Sequence, residues 1–261
     1  MKILFSGDIV SSPGRRAFTQ VAGRYKKNGQ ADCVCANAEN TAGGNGLQPR
    51  MAQELFSHGA DALSLGDHTW DQKELIPFID EELRLVRPAN FPPGCPGRGY
   101  TIVDVKGVRV CIISLLGRTF TQPTADCPFR TVDALLERPD VRDTTVKLVD
   151  FHAEATSEKV VMGFYLDGRV SAVLGTHTHI QTSDARVLAK GTGYITDLGM
   201  TGPRDSILGR EYEPVLKRFM TGMPARFEVK KGPALFEGAL LEVDDIKGHC
   251  VSIRALREEV D

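Results

Sequence analysis

The strongest constraint on this chain is a rhythm that runs three times through residues 1–82. A short apolar run ends in a polar cluster, and a stretch with helical spacing follows. Ile3–Phe5 runs into Ser6-Gly7-Asp8, residues 32–36 (DCVCA) into Asn37-Ala38-Glu39-Asn40, and residues 61–65 (DALSL) into Gly66-Asp67-His68. Runs this short and apolar read as strands buried on both faces. Between them, residues 14–28, stopped at Asn28-Gly29, and residues 48–58, stopped at Gly59, read as helices, and residues 70–82 as a third. Such β-α alternation predicts an α/β chain built on a parallel sheet with helices packed against it, and places any site at the carboxyl ends of the strands.

Residues 87–99 are rich in proline and glycine and are read as a loop rather than a linker, because strand-like patterns resume at once at 100–105 and 108–115. Further buried strands are expected at 146–150, 172–175 and 194–199, with a helix over 155–166. Residues 226–243 and 249–256 alternate like antiparallel strands near a sheet edge. The sheet is therefore expected to be mixed, and 1–261 is read as a single domain. With 32 basic and 34 acidic residues, a net charge of -2 gives no overall bias toward nucleic acid or anionic membrane. No run is long and apolar enough for a transmembrane helix, and residues 1–10 lack the apolar stretch of a signal sequence, so the expected location is cytoplasmic. Six cysteines without paired metal-ligand spacing read as free, mostly buried thiols in a reducing compartment.

Four of the six histidines sit in polar strand-end contexts: His68, His152, His177 and His179. On an extended backbone, His177 and His179 would point to one side and present both rings to one site. H-x-H alone is modest evidence, and His58 and His249 are read as ordinary surface or core histidines. Asp8, Glu39 and Asp67 strengthen the case, since each follows a buried strand. Buried carboxylates converging with imidazoles repel one another unless cations lie between them, and divalent ions accept both ligand types. Counting Asn40, seven candidate ligands exceed the need of one ion that keeps an open position. Two ions sharing a carboxylate fit, and paired ions suit phosphoryl transfer.

Other signals are weaker. The Gly7–Gly14 turn lacks both the dinucleotide-binding glycine pattern and the P-loop lysine, and no nucleophile elbow of the G-x-S-x-G kind exists. Gly43-Gly44-Asn45-Gly46 reads as a loop near the site. Trp70 is expected to pack, and Arg118 is either a substrate contact or a solvated cation.

Several segments together resemble the YmdB-like branch of the calcineurin-type binuclear metallophosphoesterases: KILFSGDIV (2–10), ANAENTAGGNG (36–46), LGDHTWDQKE (65–74), VRPANFPPGCPG (86–97), LLGRTF (115–120), DFHAEATSEK (150–159), GTHTHIQTSD (175–184) and ITDLGMTGP (195–203). The resemblance implies a four-layer α-β-β-α sandwich. It implies two transition-metal ions, iron or manganese, the first held by Asp8, Glu39, Asn40 and His179 and the second by Asp67, His152 and His177, with Glu39 bridging. His68 matches the catalytic proton donor. The activity implied is a phosphodiesterase on 2′,3′-cyclic and also 3′,5′-cyclic nucleotides, in which hydroxide shared by the ions attacks phosphorus and His68 acts as general acid. In the family the position of Asp67 is more often Asn. The extra charge here would bind the second ion more tightly and lower its power to acidify water.

Two further readings stay open at this stage. A binuclear amidohydrolase would usually place H-x-H after the first strand, not a late one, within eight regular βα units. A metal-dependent regulator that binds a nucleotide or RNA with little turnover would use the same residues. Self-association into a homo-oligomer is compatible with the sequence, which shows no interface.

Overall fold

The structure is a computed structural model that describes residues 1–122 and 124–260. The first half runs β1 (Lys2–Ser6), β2 (Asp8–Ile9), α1 (Ser11–Lys27), β3 (Cys33–Asn37), α2 (Pro49–Ser57), β4 (Ala62–Ser64), α3 (Leu75–Phe78) and β5 (Leu85–Val86). The hairpin β6 (Tyr100–Val105) and β7 (Val108–Leu116) follows, then α4 (Pro128–Leu136), α5 (Pro139–Arg142), β8 (Val146–His152), α6 (Thr156–Leu166) and β9 (Ala172–Thr176). The chain closes with β10 (Arg186–Val187), β11 (Gly193–Ile195), β12 (Met200–Pro203), α7 (Tyr212–Thr221), β13 (Ala234–Val243) and β14 (Cys250–Val260).

These strands form two mixed sheets. In the first, β1, β3, β4 and β5 are parallel neighbours, and β13 runs antiparallel beside β1. β12 continues the β1 edge of β13, β2 pairs with β12, and β14 covers the other edge of β13. The second sheet has the order β10-β11-β9-β8-β7-β6, with β7, β8, β9 and β11 parallel.

Alternate residues along each strand enter different cores, which explains why the strands read as unbroken apolar runs. Leu4, Val34, Ala36 and Leu63 face Phe18, Val21, Leu55 and Phe56 of α1 and α2. Ile3, Phe5, Cys33, Cys35 and Ala62 face Val110, Ile112, Leu148, Ala172 and Leu174 of the other sheet. Cys111, Ile113, Val149, Phe151 and Val173 face Val132 of α4 and Met162 and Leu166 of α6. The fold is thus mixed α/β, with two sheets that share one core and helices packed on the first sheet and on the second.

Several boundaries differ from expectation. The helix expected over 70–82 shrinks to Leu75–Phe78, because Asp71 and Gln72 are drawn into side-chain hydrogen bonds with His68 and with the Asn45 carbonyl. The strand expected over 194–199 ends at Ile195, where Asp197 bends the chain by accepting the Gly199 N–H. The strand expected from residue 226 starts only at Ala234, and α4 and α7 are helices that the expected pattern does not include. All six cysteines are free, four of them buried. Among the described residues no helix is long and apolar enough to cross a membrane.

Candidate metal centre

The carboxyl ends of β1, β3 and β4 in one sheet and of β8 and β9 in the other meet at the same edge of the molecule. Asp8 opens β2 just after β1, and Glu39 and Asn40 lie in the turn after β3. Asp67 and His68 lie in the turn after β4, His152 ends β8, and His177 and His179 follow β9. Asp8, Glu39 and His152 are fully buried. The approach is close enough to need glycine at 66: a Cβ there would lie 2.3 Å from His152 Cδ2 and 2.5 Å from Glu39 Oε2.

Two clusters result. In one, His152 Nε2 lies 2.9 Å from each of Glu39 Oε1, Asp67 Oδ1 and His177 Nδ1. A single ring nitrogen carries at most one proton and cannot make three hydrogen bonds. Spacings of 2.9–3.4 Å are what donor atoms show around one ion, because metal bonds of about 2.0–2.2 Å set octahedral and tetrahedral edges of about 3.0 and 3.4 Å. Glu39, Asp67, His152 and His177 could therefore hold a metal ion. In the other cluster, Asn40 Nδ2 lies 3.4 Å from Asp8 Oδ1, 3.3 Å from Glu39 Oε1 and 3.2 Å from His179 Nε2. Turning that amide over places Oδ1 there instead and leaves a set of acceptors only, again suited to a cation. The Nδ1 atom of His179 is buried without a partner, so Nε2 makes the ring's polar contacts, to Asp8 and Asn40.

The electrostatics lead to the same place. Burial alone would lower the His152 pKa, but Glu39, Asp67 and Asp8 outweigh it and raise the pKa well above the usual histidine value. Burial would likewise raise the Asp67 pKa, yet His152 and His177 bring it below the ordinary carboxylate range. Asp8 is lowered in the same way by His179 and His152. Positive charge is required between these carboxylates, and among the described residues protons on the imidazoles supply it.

The seven expected ligand positions all converge here, but not with the backbone geometry expected for H-x-H. His177 and His179 have φ of +101° and +65°, so the segment is not extended. The two rings diverge, His177 toward Asp67 and His152, His179 toward Asp8 and Asn40. Such backbone angles cost about 1–3 kcal/mol each in a non-glycine residue and persist only where the surroundings impose them. His177 N–H donates to Asp8 Oδ2 at 3.1 Å, and Thr178 N–H and Oγ1–H donate to Asp197 Oδ2 at 3.1 and 2.7 Å.

His68 stands apart from both clusters. Its backbone N–H donates to Glu39 Oε2 at 3.0 Å, and its Nδ1 lies 2.9 Å from Asp71 Oδ2. The ring lines a cavity of about 740 Å³ together with Glu39, Asn40, His177 and His179. Gly44 and Asn45 of the glycine-rich loop line it too, as expected of a loop near the site. Arg118 does not: its backbone N–H donates to the Glu158 carboxylate and its side chain is exposed. Trp70 packs on Phe91, with ring centroids 6.0 Å apart.

Residues that the motif spacing leaves without a role orient these imidazoles. Thr176 Oγ1 lies 2.9 Å from His152 Nδ1 and donates to Asp150 Oδ1 at 2.6 Å, which fixes the ring so that Nε2 faces the cluster. Burial pushes the Asp150 pKa up to about 6. Glu154 Oε2 lies 3.1 Å from His177 Nε2 and holds Nδ1 inward. Asp150 was within reach of the sequence, since it shares a strand face with His152 two residues on. Lys159, whose ammonium donates to Asp197 at 2.6 Å inside the core, gave no sign in a run that reads as plain amphipathic helix.

The family described as YmdB-like protein matches residues 4–256. The 2′,3′-cyclic-nucleotide 2′-phosphodiesterase of Bacillus subtilis (strain 168) is 48% identical over 256 residues, covering 98% of this chain and 96% of that protein. The crystal structure of a hypothetical protein from Thermus thermophilus superposes with a TM-score of 0.93 at 44% identity, covering all of both chains. That of a novel phosphatase from Mycoplasma pneumoniae also reaches 0.93, at 34% identity, covering all of this chain and 94% of the other. With the family model and a relative of nearly half-identical sequence both spanning almost its whole length, the chain belongs to the YmdB-like protein family.

Proposed function

We propose that this chain, acting as one domain, is a binuclear metal-dependent phosphodiesterase whose substrates are 2′,3′-cyclic nucleotides. One observation carries the reading: Glu39 Oε1 belongs to both clusters, 2.9 Å from His152 Nε2 and 3.3 Å from the Asn40 amide, where a carboxylate shared by two ions would sit. Asp8, Asn40 and His179 would complete one site, and Asp67, His152 and His177 the other. Donors that are imidazole, carboxylate and amide, without thiolate, support iron or manganese. When bound, two such ions would supply an activated water and neutralise charge on the phosphoryl oxygens.

The remaining chemistry belongs to the chain. Asp150, Thr176 and Glu154 keep the imidazoles turned inward and exclude alternative ring orientations. With Nδ1 engaged by Asp71, His68 presents Nε2 to the cavity, where a protonated ring donates to the departing ribose oxygen. Water oxygen joins phosphorus and releases one proton to solvent, the bond from phosphorus to that ribose oxygen breaks, the His68 proton ends on that oxygen, and the ring regains a proton from solvent. General-acid help of this kind is worth about 10²–10⁴ in rate. Free buried thiols support a cytoplasmic location.

The deciding experiment is metal analysis of protein purified without added metal, together with a panel of 2′,3′-cyclic nucleotides, 3′,5′-cyclic nucleotides and simple phosphodiesters. About two metal equivalents and preferential turnover of the 2′,3′-cyclic substrates are expected. Protein that neither retains nor takes up transition metal, or that binds it without hydrolysing any phosphodiester, defeats the proposal.

A further inference from the structure

The cavity is far from uniform. Its floor holds the carboxylates and imidazoles, whereas one side is an apolar shelf of Ile207, Leu208, Val215, Phe219 and Phe227. All five come from one excursion of the chain between β12 and β13. Its base is tied down by the reciprocal Ile207–Arg210 backbone hydrogen bonds, both 2.9 Å, and by Lys230 N–H to Gly209 O. Arg210 spans from this excursion to the glycine-rich loop, donating to Gly43 O, Gly44 O and Asn45 Oδ1 at 2.9, 3.2 and 2.8 Å. The shelf is thus fastened to the loop that approaches His68 through Asn45.

Phe219 is 84% exposed, and Arg218 lies over the Phe227 ring at 5.4 Å. An aromatic ring left this open beside a catalytic cavity lacks a partner. At about 740 Å³ the cavity is in the range of sites that bury a drug-sized ligand, much more than a phosphate group fills. The five shelf side chains carry no hydrogen-bonding group, whereas Arg218 offers a flat cation that stacks on rings.

Resting on the cyclic-nucleotide reading, we propose that this shelf is a nucleobase subsite in which Phe219, Phe227 and Arg218 stack the base without reading its identity. Every base has a π-face, so stacking tolerates all four; the five apolar side chains offer nothing that discriminates among bases, and Arg218 is engaged over the Phe227 ring. The enzyme therefore selects a cyclic phosphodiester that bears a flat aromatic group over one that does not.

The test compares kcat and KM of the metal-loaded enzyme on 2′,3′-cyclic AMP, GMP, CMP and UMP and on base-free glycerol 1,2-cyclic phosphate, for wild type, Phe219→Ala and Phe219→Trp. Wild type is expected to favour the nucleotides over the base-free diester in kcat/KM, with the four bases within about tenfold of one another. Phe219→Ala should reduce that preference by about 5- to 150-fold, the equivalent of one base–aromatic stack, through KM rather than kcat, and Phe219→Trp should restore it. An unchanged preference in Phe219→Ala overturns the subsite, as does an oligomeric mass that falls on light scattering while the preference stays, which would make the segment an interface between copies. A spread among the bases well beyond tenfold overturns the claim that identity is not read. If no cyclic diester is hydrolysed, the phosphodiesterase reading fails separately. Calorimetric binding of 3′-AMP against glycerol phosphate, in wild type and Phe219→Ala, then decides the subsite on its own.

Discussion

Replacing Asp197 tests how the fold holds His177 and His179 in left-handed backbone. The Asp197 carboxylate accepts from Lys159 Nζ at 2.6 Å, from Thr178 N–H and Oγ1–H at 3.1 and 2.7 Å, and from Gly199 N–H at 2.8 Å. The Lys159 and Asp197 side chains are 1% and 0% exposed. In Asp197→Ala the ammonium stays buried without its partner, and breaking a buried pair in this way costs about 3–5 kcal/mol. Unfolding entropy of roughly 2.1 cal/mol/K per residue makes each kcal/mol worth about 2 °C in a chain of this length, so the melting temperature should fall by about 6–10 °C. The variant should also lose bound metal, because Thr178 no longer anchors His177 and His179. Lys159→Met/Asp197→Asn removes both charges yet keeps an acceptor for Thr178, and should recover more than half of the loss. Calorimetric melting and elemental analysis on the same preparations give both readouts. A melting temperature within about 2 °C of wild type, or a double variant no more stable than Asp197→Ala, would refute the reasoning.

His68→Ala should retain its metal while turnover of 2′,3′-cyclic nucleotides falls by about 10²–10⁴, with a smaller loss on a p-nitrophenyl diester, whose leaving group needs no proton; full activity on the nucleotides would remove His68 from the acid role. Asp67→Asn should release metal more readily to a chelator and move the acid limb of the pH–rate profile to lower pH, since an amide leaves the ion more of its charge; an unmoved limb with unchanged metal retention would count against the ligand assignment. Gly44→Ala places a Cβ 2.4 Å from Arg210 Nη2 at a residue with φ of +92°, and kcat/KM should drop about tenfold or more as the loop shifts; wild-type kinetics would show that the loop has no part in the site. Thiol titration of native protein should show Cys95 and Cys127 reacting first, because Cys33, Cys35, Cys111 and Cys250 are buried and burial pushes the last two to about 12 and about 11; more than two fast thiols would contradict this.

The sequence exposed the two-sided burial of the strands. Cys33-Val34-Cys35-Ala36 is apolar at every position because each alternate residue enters a different core, and no surface strand would tolerate that. The same logic made the polar residues just past the strands conspicuous, and all seven expected ligand positions meet at one edge. Turns were harder to read. The stretch 70–82 has helical spacing, yet bonds from Asp71 and Gln72 to the site loops leave only one turn of helix.

What the sequence determined by itself is which residue types gather at the strand ends, because buried carboxylates and imidazoles have few chemical reasons to be there. What only the tertiary structure decided is how they divide. Left-handed backbone at residues 177 and 179 splits the H-x-H pair between two clusters, and a lysine and an aspartate from distant segments hold that backbone in place. Neither is visible from spacing, because local pattern reports which face a residue takes. The partner that waits there is set by how separate segments pack.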